Sequence, residues 1–389
     1  MRGRWRIAVP LALAIGLAVA APARAAADSL TLSASRTTLE YGERATLSGD
    51  LASPTPGERT VAIRDAATDV ELASTTTDPS GHYTVDVQPA ANVTVKAVSG
   101  TTASQVVELR VMPKLTAQLS GVQLFGGGEV SGRLDPAHPG GQVRVTLLRG
   151  DAVAGQVDAP LQDGGTHYSV RLDVLRSGKY RARATFDDAD HEEAVATTDP
   201  RKVGTPPPLH PGSGGRWVLA LEQRLRDLDY HVPRPNRGFD HRTADAVLAF
   251  HKVQGMNRSR SVGRATWRRL SNPRLPRPRS TAANVHVEID QSKQVLYVVR
   301  QGEIDDIVHT STGAGGATRD GVFHVFRKIA GYSPNRLYYP SYFDGGRAVH
   351  GWPQVPTYPA SHGCARVPYW TAKFLHALMG YGMEVRVYH

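Results

Sequence analysis

Between residues 28 and about 112, apolar and polar positions alternate in short runs divided by turn residues. Thr60-Val-Ala-Ile-Arg64, Tyr83-Thr-Val-Asp-Val87 and Val93-Thr-Val-Lys-Ala-Val98 have the period of two that a half-buried strand requires. Gly57, Asp78-Pro-Ser-Gly81 and Ser99-Gly100 supply the breaks between them. Residues 113–198 repeat the scheme, with strands predicted at Gln142-Val-Arg-Val-Thr-Leu-Leu148, Tyr168-Ser-Val-Arg-Leu172 and Lys179-Tyr-Arg-Ala-Arg-Ala184. Short strands at this spacing, with no helical period between them, predict a small β-sandwich for each of 28–112 and 113–198. Residues 199–215 hold three consecutive prolines and a glycine-rich end, and predict a linker.

At 216–272 the apolar period lengthens. Val218, Leu221, Leu225 and Leu228 fall on one helical face. Asp240 is a candidate N-cap for a second helix carrying Ala244, Val247, Leu248 and Phe250, and a third short helix carries Thr266, Trp267 and Leu270. A second proline-rich linker, 273–283, leads into 284–389. There Val285-His-Val-Glu-Ile289 and Val295-Leu-Tyr-Val-Val299 read as a hairpin, followed by strands at Ile304 to Ser311, Val322 to Phe326, Arg347 to His350 and Glu384 to Tyr388. Thr371 to Met379 reads as a helix with Trp370, Phe374 and Leu378 on one face and Gly380 ending it. The fold class expected is therefore multidomain: two β-sandwich modules, a small three-helix bundle, and a mostly-β domain with one packed helix.

Two resemblances follow from these patterns. Gly81-His-Tyr-Thr-Val-Asp-Val87 is similar to Thr166-His-Tyr-Ser-Val-Arg-Leu172, and the two β modules resemble tandem immunoglobulin-like units. The ordered set Leu221, Arg224, Leu225, Asp229, Tyr230, Phe239, Asp240, Thr243, Ala246, Val247, Phe250, His251, Val262, Gly263, Thr266, Trp267 and Leu270 resembles the three-helix peptidoglycan-binding module. That resemblance implies attachment to cell-wall glycan. The turn Arg234-Pro-Asn-Arg-Gly238 departs from the Asp-Gly turn usual in that module.

Charge and the N-terminus place the chain. Arg2, Arg4 and Arg6 precede an apolar stretch from Ile7 to Ala20, and Ala23-Arg-Ala25 has the small residues of a cleavage site, so 1–25 reads as a signal peptide. The apolar stretch is shorter than the roughly 20 residues that span a bilayer, so no stable membrane insertion is expected after cleavage. Cleavage removes four arginines and no acid, taking the net charge from +10 to +6. An exported basic protein suits an anionic wall surface rather than nucleic acid.

Cys364 is the one cysteine in 389 residues, within Ser361-His-Gly-Cys-Ala-Arg366. An exported protein with a single cysteine has no internal disulfide to make, which points to a thiol kept for reactivity. His350, in Val349-His350-Gly351, offers a base for it, and the Gly351 carbonyl can hold the ring in the needed tautomer. Gly363 allows close backbone approach, the Gly363 and Cys364 N–H groups are candidate oxyanion donors, and Arg366 sets a cation near the thiol. This constellation suits acyl transfer through a thioester. Zinc on His350, His362 and Cys364 lacks a carboxylate at ligand spacing. Gly313-Ala-Gly-Gly316 lacks the Gly-Lys-Ser/Thr ending of a phosphate loop. No metal and no cofactor is expected.

Ala348-Val-His-Gly351 followed by Ser361-His-Gly-Cys-Ala-Arg366 resembles the signature of the L,D-transpeptidase (YkuD-type) catalytic domain. Thr310-Ser-Thr-Gly313 and Thr318-Arg-Asp-Gly-Val-Phe323 resemble further segments of that family, with Arg319 where proline is common. The resemblance implies Cys364 as nucleophile and His350 as base, with Ser361, His362, Gly363, Arg366 and Gly351 completing the site. It also implies a peptidoglycan tetrapeptide stem as donor, loss of its terminal D-alanine, and a 3→3 cross-link to the side-chain amine of a second stem. A hydrolase acting on the same stems, and a catalytically silent wall-binding protein, are the competing readings. The tyrosines Tyr332, Tyr338, Tyr339, Tyr342 and Tyr358 either line a cleft or pack a lid.

Overall fold

The computed structural model describes residues 28–53 and 57–389, so the expected signal peptide at 1–25 lies outside the described residues. These residues form a mostly-β structure with four α-helices. They divide into two compact units, one of residues up to 114 with 187–193, the other of 115–186 with 194–389.

In the first unit, Ala45–Ala52 pairs with Ser29–Leu30, Ser33–Ala34 and His82–Val87. A second sheet runs Thr38–Glu40, Val107–Met112, Val93–Ser99, Thr60–Asp65, Glu71–Thr76. Leu47 and Tyr83 from the first sheet and Ile63, Val95 and Leu109 from the second meet in one buried cluster. The alternating burial of Ala45–Ala52 is the physical counterpart of its period-two sequence.

The second unit opens with the same device. Tyr83 lies opposite Gly49 and its hydroxyl donates to the Thr31 carbonyl. Tyr168 lies opposite Gly132 and donates to the Thr116 carbonyl at 2.7 Å. A Cβ at either glycine would strike the tyrosine hydroxyl, at 2.7 Å for Gly49 and 2.6 Å for Gly132, so the repeated His-Tyr phrase comes with a glycine across the sheet. Arg201–Val203 pairs with Gly178–Tyr180, so the stretch expected to be linker from 199 begins with a strand.

Three helices follow: α1 (Arg216–Arg226), α2 (His241–Val253) and α3 (Arg264–Ser271). Asp240 caps α2 by accepting from the Arg242 and Thr243 N–H groups at 2.8 and 3.1 Å. Every side chain of α2 from Ala246 to Val253 is buried, because α2 packs on α1 and also on the C-terminal sheet.

That sheet contains β1 (His286–Asp290), β2 (Val295–Arg300), β3 (Glu303–His309), β4 (Gly321–His324) and β9 (Glu384–Tyr388), in the order β3-β2-β1-β9-β4. Strand β2 is apolar on both faces and buried from Val295 to Val299. A second sheet joins β5 (Arg327–Lys328), β6 (Tyr338–Asp344), β7 (Arg347–Trp352) and β8 (Ala365–Pro368) in that order. The core between the two sheets holds Ile289, Leu296, Phe343, Val349, Val367 and Val385.

Helix α4 (Tyr369–Leu378) departs from its expectation. The residues it buries most deeply are Thr371, Ala372 and Leu375, not the face of Trp370, Phe374 and Leu378. Trp370 and Phe374 instead stack on His231, with ring centroids 5.2 and 4.4 Å apart. Phe374 and Leu378 also pack against the core between the sheets, so the apolar face visible in the sequence serves both that core and the helical module.

Candidate active site

Strands β7 and β8 run parallel, pairing Val349 with Ala365 and His350 with Arg366. Cys364 directly precedes β8 and, one step back in that register, stands level with Ala348. Side chains alternate along strands, so Cys364, Ala348, His350 and Arg366 share one face of the pair. Sheet pairing thus brings Cys364 onto the same face as His350, across the loop between the two strands.

His350 is 2 % exposed, and its Nδ1 lies 2.9 Å from the Gly351 carbonyl. An N–H at Nδ1 donating to that carbonyl leaves the Nε2 lone pair as the basic position. Burial pushes the imidazole pKa down to about 4, and the Arg366 cation acts in the same direction. Its ring meets Trp352 edge-on at 5.7 Å, and the Arg366 guanidinium lies over the same indole at 4.6 Å. The Arg366 Nε is buried without a hydrogen-bond partner.

Cys364 is partly exposed, and its thiol donates to the Gly346 carbonyl at 3.8 Å. Burial raises its pKa, opposed by the Ala348 backbone and by the Arg366 and Arg347 charges. A low imidazole pKa and a raised thiol pKa leave the resting pair neutral, as S–H and free imidazole.

The turn before Cys364 is held by Ser361. Its Oγ accepts from the Gly363 N–H at 3.0 Å and donates to the Cys364 carbonyl at 2.6 Å. The Gly363 N–H, expected among the oxyanion donors, is therefore engaged with Ser361. Gly363 itself sits at φ 129°, and a Cβ there would meet Arg347 Nε at 2.8 Å and the Ala317 carbonyl at 2.9 Å. Gly351 has a different reason: a Cβ would collide at 2.9 Å with Ala372, Tyr338 and Tyr369, so its absence lets α4 close on β7. His362 is exposed.

Residues around this turn were only partly legible. Thr318 Oγ1 accepts from the Gly313 N–H at 2.7 Å and donates to the Gly363 carbonyl at 2.9 Å, joining the two upstream segments to the cysteine loop. The Ser311 N–H and carbonyl pair with Arg366 at 2.9 Å in both directions. Arg319 is held by Asp344, which also accepts from Arg347 at 3.0 Å. Arg347 was read from the sequence only as the start of a strand and not as a site residue; its Nε donates to the Ala317 carbonyl at 2.8 Å. Of the tyrosines, Tyr342 is buried, Tyr332 and Tyr358 are 60 % and 62 % exposed, and Tyr338 packs against Tyr332 and Tyr369 at 4.9 and 4.8 Å.

A thiol and a neutral, tautomer-fixed imidazole on neighbouring parallel strands of a β-rich domain define a class, the cysteine–histidine sites. The particular family comes from comparison. Residues 284–387 match the family model of the L,D-transpeptidase catalytic domain. An L,D-transpeptidase structure from Xylanimonas cellulosilytica is 36 % identical, with 48 % of this chain and 99 % of that one covered and a TM-score of 0.45. One from Stackebrandtia nassauensis is 25 % identical over 48 % of this chain and 98 % of that one, with a TM-score of 0.31. L,D-transpeptidase 1 of Mycobacterium tuberculosis is 20 % identical over 27 % and 61 %, with a TM-score of 0.22. The comparison with curated proteins gave no match. By that match residues 284–387 are an L,D-transpeptidase catalytic domain, and proteins of this family act on peptidoglycan stem peptides. Among the described residues, no helix is long and apolar enough to cross a membrane.

Proposed function

We propose that the protein is an exported cysteine acyltransferase that joins peptidoglycan stems by 3→3 links. The reading is carried by the His350 Nδ1 contact to the Gly351 carbonyl, on the strand paired with the one that Cys364 directly precedes. Cys364 Sγ attacks the carbonyl carbon of the donor stem while its proton passes to His350 Nε2. The tetrahedral intermediate collapses, the C–N bond to the terminal D-alanine breaks, and the leaving amine takes the proton back from His350. An amine from a second stem then attacks the thioester, yields its proton to His350, and releases the thiol as the new amide forms. With the resting pair neutral, proton transfer accompanies attack rather than preceding it. The Gly363 N–H being engaged, the oxyanion role falls to the Cys364 N–H, and Arg366 and Arg347 add positive field at the sulfur.

In this reading 1–25 directs export, the β modules at 28–112 and 113–198 are immunoglobulin-like spacers, 216–272 is the peptidoglycan-binding-like helical module, and 284–389 is catalytic. The mature protein works outside the cytoplasm, at the wall. Intact mass after incubation with purified tetrapeptide stems, for the chain and for Cys364→Ala, tests it. The expected result is a covalent adduct on the unsubstituted chain alone, with dimeric stems released. An adduct accompanied only by shortened stems makes the protein a carboxypeptidase, and neither adduct nor product from folded protein makes it a binding protein.

A further inference from the structure

A cavity of about 360 Å³ lies where α1 faces strands of the second β module, and none of its walls belongs to the catalytic domain. Lys202 lines it from the strand Arg201–Val203, Gln123 from the end of the strand Gln118–Gln123, and Arg216, Trp217 and Gln223 from α1. Arg237 joins them from the turn Arg234-Pro-Asn-Arg-Gly238, the one that departs from the Asp-Gly turn usual in the helical module. Leu124 and Val203, both buried, make part of the wall apolar.

The charge here is one-sided. Among the described residues no acid lines the cavity, and Lys202, Arg216 and Arg237 have no carboxylate partner. Other exposed arginines of this chain do find one, as Arg144 does in Asp158 and Arg181 in Asp151. The Arg216 guanidinium lies over the Trp217 ring, 4.9 Å from its centroid, and its N–H groups are uncommitted. The side-chain amides of Gln123 and Gln223 are uncommitted too. Three unpaired cations around one hollow repel one another, and an anion placed among them removes that repulsion. Three cations also exceed what the single charge of a carboxylate needs, and a planar guanidinium engages phosphate oxygens in pairs. Trp217, Leu124 and Val203 offer surface to a carbon body, which inorganic phosphate lacks, and the two amides offer donors and acceptors to hydroxyl groups. The volume is at the low end for a ligand pocket and suits one phosphate with a short carbon chain.

We propose that this cavity binds the phosphate ester of a small polyol, the phosphate held by Lys202, Arg216 and Arg237 and the carbon chain laid on Trp217. Neither Cys364 nor any stem peptide enters the argument, so the site stands or falls apart from the proposed function. The ester arrives either free or as the headgroup of an anionic lipid, and the two sources present the same chemistry to the cavity.

The test titrates glycerol 3-phosphate into the full chain by calorimetry, with inorganic phosphate and glycerol as controls at fixed ionic strength. Saturable binding of the ester is expected, tighter than that of inorganic phosphate, and none of glycerol. Arg216→Gln combined with Arg237→Gln, both at exposed positions, is expected to weaken binding about tenfold while the melting temperature stays unchanged. Trp217→Ala is expected to bring the ester and inorganic phosphate to equal affinity. Sedimentation with phosphatidylcholine vesicles, with and without phosphatidylglycerol, separates the sources. Binding of the ester together with capture by the anionic vesicles, both lost in the double variant, identifies the headgroup as one source; binding of the ester without capture identifies the free ester. Capture by vesicles without binding of the ester overturns the proposal and makes the cations a membrane-facing patch. Absence of saturable binding, equal binding by the double variant, or equal affinity of the unsubstituted chain for inorganic phosphate overturns it as well.

Discussion

His350 and Cys364 are set by burial rather than by an acidic partner. With the imidazole pushed to about 4 and the thiol raised above its ordinary 9.0, neither group is charged near neutral pH. Alkylation by iodoacetamide requires thiolate, so its rate on Cys364 is expected to climb about tenfold per pH unit through neutrality, without levelling before pH 9. A plateau between pH 5 and 7 would reveal a resting ion pair and overturn this. The sign follows from the directions: a base with a lowered pKa is neutral over most of the range, and an acid with a raised pKa is protonated over the same range. Cys364, His350 and the Gly351 carbonyl were legible because reactive groups have few chemical partners and the motif keeps them close. The exposure of His362 and the capture of the Gly363 N–H were not, since both depend on the φ of 129° at Gly363 and on where Ser361 Oγ points.

Helix α2 shows what an element contributes beyond its own period. Lys252 is 4 % exposed, and its Nζ reaches the Gln294 and Thr310 carbonyls at 2.8 and 2.9 Å and His309 Nδ1 at 2.7 Å. Three acceptors match the three donors of an ammonium, a geometry that favours the charged form against burial, which pulls its pKa down to about 6. His309 is held neutral by burial, which keeps its Nδ1 an acceptor, and its Nε2 donates to the Val355 carbonyl at 3.2 Å. Thr310 continues to the Arg366 carbonyl at 2.8 Å, so the helical module is tied to the strand that carries the site. Lys252→Met leaves three buried acceptors unpaired and is expected to cost about 3 kcal/mol, read as a lower urea midpoint of the full chain. An unchanged midpoint would show that water replaces the ammonium. Sequence marked α2 as a helix with an apolar face; that its polar side would also be buried needed β2 and β3 to be in place.

Within the second unit, the helices and the catalytic domain share walls rather than a flexible joint. His231 Nδ1 bonds Asp306 at 2.6 Å, Arg260 and Arg258 reach the carbonyls of Val355 and Thr357, and Trp370 is fastened to Asp245. Residues 273–389 alone are therefore expected to melt well below the full chain and to expose apolar surface, detected by dye binding. Equal melting of the two would show the catalytic domain to be self-sufficient. The sequence by itself determined the mostly-β character, the helical segment and the positions of thiol and imidazole, because alternation, helical period and rare reactive residues are local properties. Only the tertiary structure decided which residues of α4 are buried most deeply, why β2 is apolar on both sides, and that Lys252 is buried. Those outcomes depend on which surfaces meet, and a chain of side chains does not display its own contacts until the backbone has brought them together.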